Sequence, residues 1–126
     1  MNEPEQILKL HEALLASSFI LFPEQGHVNR SNIQGVYIIF NPNNEVCHIG
    51  TTKYGKNGVN QRLNNHLKNQ SSFSKQFLKK NGQILREGYQ FKYIEEESGR
   101  TRALLEALSI GLHCPAHIGT GEKMKS

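Results

Sequence analysis

At 126 residues the chain is long enough for one domain and short for two, and at this size folding buries roughly two-thirds of the unfolded surface without disulfide or metal staples. An apolar fraction of 37% in clear clusters excludes a disordered chain, and the longest apolar stretch, Ala13 to Phe22, is broken by serines and falls short of the roughly 20 residues a membrane span needs. The net charge is +4, yet all 11 acids are Glu and there is no Asp, while Val46 to Arg86 holds eight Lys and Arg and no acid. Such a one-signed stretch attracts polyanions, nucleic acid first, unless it is only a solvated face. The N-terminus lacks the basic start of a secretory signal, and two cysteines, Cys47 and Cys114, suggest free thiols. A soluble cytoplasmic protein with no membrane partner is the expectation.

Residues 4 to 17 have the spacing of an amphipathic helix, with Ile7, Leu8, Leu10, Leu14 and Leu15 on one side. Phe19 to Phe22 could form a short strand, and the polar stretch Pro23 to Gln34 reads as a surface connection. Gly35 to Phe40 and Val46 to Ile49 are apolar runs separated by Asn41-Pro42-Asn43-Asn44-Glu45, the composition of a hairpin turn. Pairing Phe40 with Glu45 would set Tyr37 opposite His48.

Beyond Gly50 a Gly, Thr and Lys loop leads to a helix from about Val59 to Asn69, with Arg62 and His66 four apart on its flank. A further helix over Ser72 to Asn81 ends at Gly82, and Tyr89, Phe91 and Tyr93 alternate with polar residues as a strand. The last helix, Arg100 to Leu112, turns Leu104, Leu105, Leu108 and Leu112 inward and Glu106 away from that stripe. The pattern predicts an α+β fold with antiparallel strands and helices around them.

Several chemistries fail on residue type. Gly50 to Asn57 approaches the phosphate-binding pattern G-x-x-x-x-G-K-[ST], but Asn57 stands where a hydroxyl should hold magnesium, and no Asp supplies the usual second acid. Cys47, His48, His113, Cys114 and His117 are zinc-type ligands, but Cys47 and His48 are adjacent on a strand and no C-x-x-C anchors them. No G-x-S-x-G marks a nucleophilic serine.

The remaining constellation is Tyr37, His48, Arg62, His66 and Glu106. Gly35-Val36-Tyr37, then His48-Ile49-Gly50, then Arg62-Leu63-Asn64-Asn65-His66, then Leu104-Leu105-Glu106-Ala107-Leu108 together resemble the GIY-YIG nuclease family, over about Gly35 to Gly121. The resemblance implies a small three-stranded antiparallel sheet flanked by helices. Residues 1–34 would add an N-terminal helical extension to a nuclease core at 35–121, with a flexible tail at 122–126. It also implies a metal-dependent endonuclease that hydrolyses phosphodiesters, DNA favoured over RNA, as a monomer or homodimer. Glu106 would be the sole protein ligand of one Mg²⁺ or Mn²⁺, because such an ion keeps several waters and takes a substrate phosphate. Arg62 would clamp phosphate oxygens. Tyr37 would act as general base or proton relay, its phenol lowered by Arg62 and the metal, with His66 accepting the proton. Lys53, Lys56, Lys68, Lys75, Lys79 and Lys80 would track the phosphates.

Two departures from the family pattern stand out. His48 replaces the second tyrosine, and Pro115-Ala116-His117-Ile118-Gly119 lacks the family's Asn, whose place falls to His117 or, counted from Pro115 alone, to Ile118. A catalytically inactive nucleic-acid-binding module on the same fold is the alternative reading.

Overall fold

The structure, a computed structural model, describes residues 2–53 and 56–119; the tail at 122–126 and part of the loop after Gly50 lie outside the described residues. Helix α1 is Glu3–Ala16, strand β1 Ile20–Leu21, β2 Gly35–Phe40, β3 Val46–Thr51, helix α2 Gly58–Leu67, a π-helix Phe73–Leu78, β4 Gln90–Glu95, and helix α3 Gly99–His113. The sheet is antiparallel with strand order β1-β4-β2-β3, so a two-residue β1 adds a fourth, edge strand to the three expected.

Both faces of the sheet are covered, which is why β2 is buried at all six positions rather than alternating with solvent. On one face Val36, Ile38, Phe40 and Ile49 meet Ile7 and Leu14 of α1 and Leu105 of α3. On the other, Tyr37, Ile39 and Phe91 meet Val59 and Leu63 of α2 and Phe73 of the π-helix. None of the helices among the described residues is long and apolar enough to cross a membrane.

The helix ends follow local chemistry. Asn2 caps α1 by accepting from the Glu5 N–H at 2.9 Å, and Ser98 caps α3 by accepting from Thr101 at 3.2 Å. Cys114, left-handed at φ 46°, ends α3 and turns the chain back along the β3 edge, where the His117 N–H donates to the Cys47 carbonyl at 2.9 Å. The buried stripe of α1 is Ile7, His11 and Leu14, and the expected inward residues Leu8 and Leu112 are more than half exposed. The segment expected as a helix over Ser72 to Asn81 is wound wider, as a π-helix, which sets Phe73 and Leu78, five apart, into the same core.

The hairpin register also departs from the expected one. The Asn41 side chain accepts the N–H groups of Asn43 and Glu45, Asn44 is left-handed, and the turn closes on Asn41 and Glu45, one residue beyond Phe40. Phe40 then pairs with Val46, and a bulge sets Ile39 opposite His48 and Tyr37 opposite Gly50.

The polar connection Pro23 to Gln34 is not a free surface loop. Asn60 Oδ1 accepts from the N–H groups of Arg30 and Ser31, and Asn64, one turn on, both accepts from and donates to the Val28 backbone. Replacing Asn60 by Ala leaves those two donors unmatched. Asn60→Ala should destabilise the fold by about 2–4 kcal/mol, read as a lowered urea midpoint with an unchanged slope.

Candidate active site

β3 is the outer strand of the sheet, so only its thickness separates α2 on one face from α3 on the other. A cavity of about 480 Å³ wraps that edge. Its walls include Tyr37 from β2, His48 and Gly50 from β3, Lys53 beyond β3, Arg62 from α2 and Glu106 from α3.

Tyr37 starts one strand in from the edge and reaches the cavity across Gly50. A Cβ built on Gly50 would collide with the Tyr37 hydroxyl and ring. The glycine of the His48-Ile49-Gly50 tripeptide is therefore required by the tyrosine of the other tripeptide. Gly35 has a parallel reason, since a Cβ there would strike the Ile94 carbonyl oxygen and Val59. Both glycines let neighbours close to contact distance.

The six expected site residues fall into two layers. Tyr37, His48, Arg62 and Glu106 line the cavity, whereas His66 and His117 stand behind it, 2% and 1% exposed. His66 was expected on the flank of its helix and is instead buried, with Nε2 2.6 Å from Tyr37 Oη. His117 Nδ1 lies 3.1 Å from His48 Nδ1, and the His48 ring stacks on Phe73 with centroids 4.7 Å apart.

The ionisation pattern runs against the expectation of a lowered phenol. Burial pushes the Tyr37 hydroxyl above its ordinary range; the Arg62 charge and hydrogen bond oppose this, and the Glu106 charge adds to it. Arg62 alone does not overcome the lost hydration. Burial drives His48 down to about 3, helped by the charges His117 and Arg62 would set against an imidazolium. His66 is lowered for the same reason, burial first and then His48, Arg62 and His117, and burial lowers His117. The imidazole cluster is accordingly neutral at pH 7.

Glu106 is half-buried, and burial raises its carboxyl against the opposing charges of Lys53 and Arg62. Among the described residues it takes part in no hydrogen bond or ion pair. A carboxylate left with free lone pairs on a cavity wall fits a hard divalent cation that keeps most of its waters. Among the described residues no three His, Cys or Glu side chains gather to hold a metal, and the five zinc-type candidates do not assemble.

Sequence reasoning missed several site residues. Gln61 and Asn65 line the cavity beside Arg62; their spacing along α2, four apart and flanking Arg62, carried that signal. Thr51 and Thr52 line it as well. Arg102, buried on α3, donates to the carbonyls of Thr52, Lys53, Glu96 and Glu97, so it ties the loop carrying Lys53 to the turn that starts α3. Nothing in its sequence context distinguishes it from a surface arginine. Of the basic residues expected to follow phosphates, Lys53 is on the cavity wall, and Lys56, Lys68, Lys75, Lys79 and Lys80 are all exposed.

Three buried neutral imidazoles make stability depend on acid. Unfolded, each titrates near 6.5; folded, His48, His66 and His117 resist protonation, so below about pH 6.5 the unfolded chain binds protons that the fold refuses. Stability should fall with acidification by about 1.4 kcal/mol per pH unit for each of His48 and His66, beginning near pH 6.5, with His117 adding to the fall until its own lowered titration is reached. Urea midpoints measured from pH 7.5 to 4.5 check this, with a shallower fall in His48→Gln. A flat profile would mean the rings are charged in the folded protein.

The family model for the GIY-YIG catalytic domain matches residues 33–118, a span that contains Tyr37, His48, Arg62, His66, Glu106 and His117. No curated protein sequence matches the chain significantly. Among solved structures the fold is similar to the N-terminal GIY-YIG endonuclease domain of UvrC from Thermotoga maritima, bound to its catalytic divalent cation, magnesium. That match has a TM-score of 0.50 and 19% identity over 86% of this chain and 93% of that one. A point mutant of the same domain, also bound to its catalytic divalent cation, matches with a TM-score of 0.50 and 19% identity, over 86% of this chain and 92% of that one. The likeness to solved structures is one of fold. With two tripeptides locked together by Tyr37 and Gly50, and a family model spanning β2, β3, β4, α2 and α3, the chain belongs to the GIY-YIG family.

Proposed function

We propose that this protein is a divalent-metal-dependent endonuclease that hydrolyses phosphodiester bonds of nucleic acid, DNA in preference to RNA. The observation that carries the reading is the shared cavity. A guanidinium from one face of the sheet and, from the other, a carboxylate that makes no hydrogen bond or ion pair among the described residues meet around a single edge strand, beside a phenol hydrogen-bonded to a neutral imidazole.

Phosphodiester hydrolysis needs a water stripped of a proton, relief of the charge that builds on phosphorus, and a stabilised leaving oxygen. Arg62 offers its planar fork to the phosphate oxygens, with Lys53 alongside. Glu106 would hold one Mg²⁺ or Mn²⁺, which when bound supplies Lewis acidity toward the phosphate and leaving oxygens. Tyr37 keeps its proton at working pH, so it serves as a relay rather than a free phenolate, taking a proton from water as it releases its own toward His66. His48 stands in the place of a tyrosine as a neutral ring, able to accept or donate one hydrogen bond to the substrate. Lys56, Lys68, Lys75, Lys79 and Lys80 would follow the backbone of the nucleic acid and give affinity rather than sequence choice. One such site per chain cuts one strand; duplex scission takes a second copy or a second encounter.

The full burial of Tyr37 favours one other reading, a module that binds nucleic acid without cutting it. Nicking of supercoiled plasmid with and without Mg²⁺ or Mn²⁺ separates the two. Wild type should nick only with metal, and Glu106→Gln, Arg62→Ala and Tyr37→Phe should each lose about 10²-fold or more. Equal cutting by Glu106→Gln would refute the assigned site, and metal-independent binding with no product over long incubation would select the binding module. In a binding titration Lys79→Ala should weaken affinity and reduce the slope of log affinity against log salt by about 1, without changing sequence preference.

A further inference from the structure

His66 is held as closely on its far side as on its near one. Nε2 lies 2.6 Å from Tyr37 Oη, and Nδ1 lies 2.6 Å from Ser71 Oγ. Ser71 Oγ is 2.9 Å from Ser74 Oγ, and the Ser74 hydroxyl donates to the Ser71 carbonyl at 3.0 Å. The backbone N–H groups close the pair, Ser74 N–H donating to Ser71 Oγ at 3.1 Å and Ser71 N–H to Ser74 Oγ at 3.2 Å. All three side chains are buried, and neither serine belongs to the four motifs that mark the family.

Counting hydrogens along this chain gives it a direction. The Ser74 hydroxyl hydrogen is committed to a fixed backbone carbonyl, so between the two serines Ser71 donates. Ser71 then has no hydrogen left for the imidazole, and His66 must carry its proton on Nδ1 and donate it to Ser71. Nε2 is left as a lone pair facing Tyr37. At the other end Nε2, as a lone pair, takes the hydrogen bond of the Tyr37 hydroxyl at 2.6 Å and leaves the phenol oxygen's own lone pairs toward the cavity that Arg62 lines. The reverse tautomer forfeits either the bond between the two serine hydroxyls or the one to the Ser71 carbonyl.

We propose that Ser71 and Ser74 are positioning residues of the hydrolysis, holding His66 in the tautomer whose free Nε2 takes the hydroxyl proton of Tyr37. The inference rests on the nuclease reading above and assigns it a proton path. As the water oxygen bonds phosphorus and the bond to the leaving oxygen breaks, the water's proton passes to Tyr37 Oη and the phenol's own proton to Nε2. His66 becomes an imidazolium whose Nδ1–H still rests on Ser71. The leaving oxygen takes a proton from solvent to complete the alcohol product, and the imidazolium releases its proton back through Tyr37 to solvent, which restores a neutral imidazole, so charge and protons balance over the cycle. A serine pair anchored on a carbonyl thus orients an imidazole without bringing another negative charge into the core.

Long-range ¹H–¹⁵N NMR of the labelled full chain reads the tautomer directly, and the wild type alone suffices for the first arm. Nδ1–H is expected for His66; an Nε2–H resonance would overturn the proposal whether or not the protein cuts nucleic acid. In Ser71→Ala the ring should lose that single tautomer, and kcat should fall about tenfold or more with KM little changed, part of the roughly 10²–10⁴-fold general acid–base catalysis supplies. Ser71→Thr, which keeps the hydroxyl, should restore both. A folded Ser71→Ala with the wild-type tautomer and kcat would also overturn it. A wild type that cleaves nothing would instead fail the nuclease reading, and with it any part for Ser71 in a reaction, while the tautomer arm reports on the positioning chain by itself.

Discussion

Tyr37 lies across its cross-strand partner Gly50 so closely that no side chain fits beneath it. This single approach carries the phenol from an inner strand to the edge of the sheet, where α2 and α3 are near enough for Arg62 and Glu106 to share a cavity. It also strips the hydroxyl of water, so the phenol is one whose ionised form is disfavoured. The two halves of the family signature, separated along the chain, are one packing contact, and the chemistry inherits its electrostatics from that contact.

A buried phenol beside a guanidinium needs an acceptor that is not itself charged. The fold provides one by surrounding Tyr37 with aromatic and imidazole rings: His66 on the hydroxyl, His48 within 5.3 Å of His66 between ring centroids, and Phe73 stacked on His48. Each imidazole is kept neutral by lost hydration and by the positive charges its neighbours would carry. A glutamate in place of His66 would bring a buried negative charge against Arg62 and demand its own compensation. The neutral cluster leaves the cavity's formal charges at Arg62 and Lys53 on one side and Glu106 on the other, which suits a dianionic transition state and a cation between them.

How far the sequence revealed this depended on distance along the chain. Elements governed by local periodicity were legible: α1, α2 and α3 begin and end within a residue or two of the pattern, and the alternation of Tyr89, Phe91 and Tyr93 marks β4. So was the gathering of Tyr37, Arg62 and Glu106 around one cavity, because residue type and order mark them. What stayed hidden depends on partners brought together only by folding. Asn60 and Asn64 look like ordinary polar helix residues until a loop about 30 residues earlier supplies their backbone partners. The register that sets Tyr37 against Gly50 combines a turn that the Asn41 side chain closes one residue late with a bulge between Ile39 and Phe40, neither of which composition encodes. Ser71 and Ser74, in a polar stretch between helices, resemble any loop serines, and only the buried Nδ1 of His66 gives them a meaning.

A site with a single carboxylate has little tolerance for drift between its walls. With several acids, a displaced one is covered by the others; with Glu106 as the one carboxylate lining the cavity among the described residues, the proposed chemistry depends on the separation of α3 from α2. The structure meets that demand with directional bonds to backbone carbonyls. Arg102 spends its guanidinium on four backbone carbonyls spanning the loop after β3 and the start of α3, and the His117 N–H hooks the chain after α3 onto the β3 carbonyl of Cys47. One end of α3 is thereby pinned to the loop that follows the edge strand and the other to the strand itself, beside His48. Because these bonds are made to the backbone, they fix the helix without placing a competing acid near the cavity, and Glu106 remains free of protein partners among the described residues.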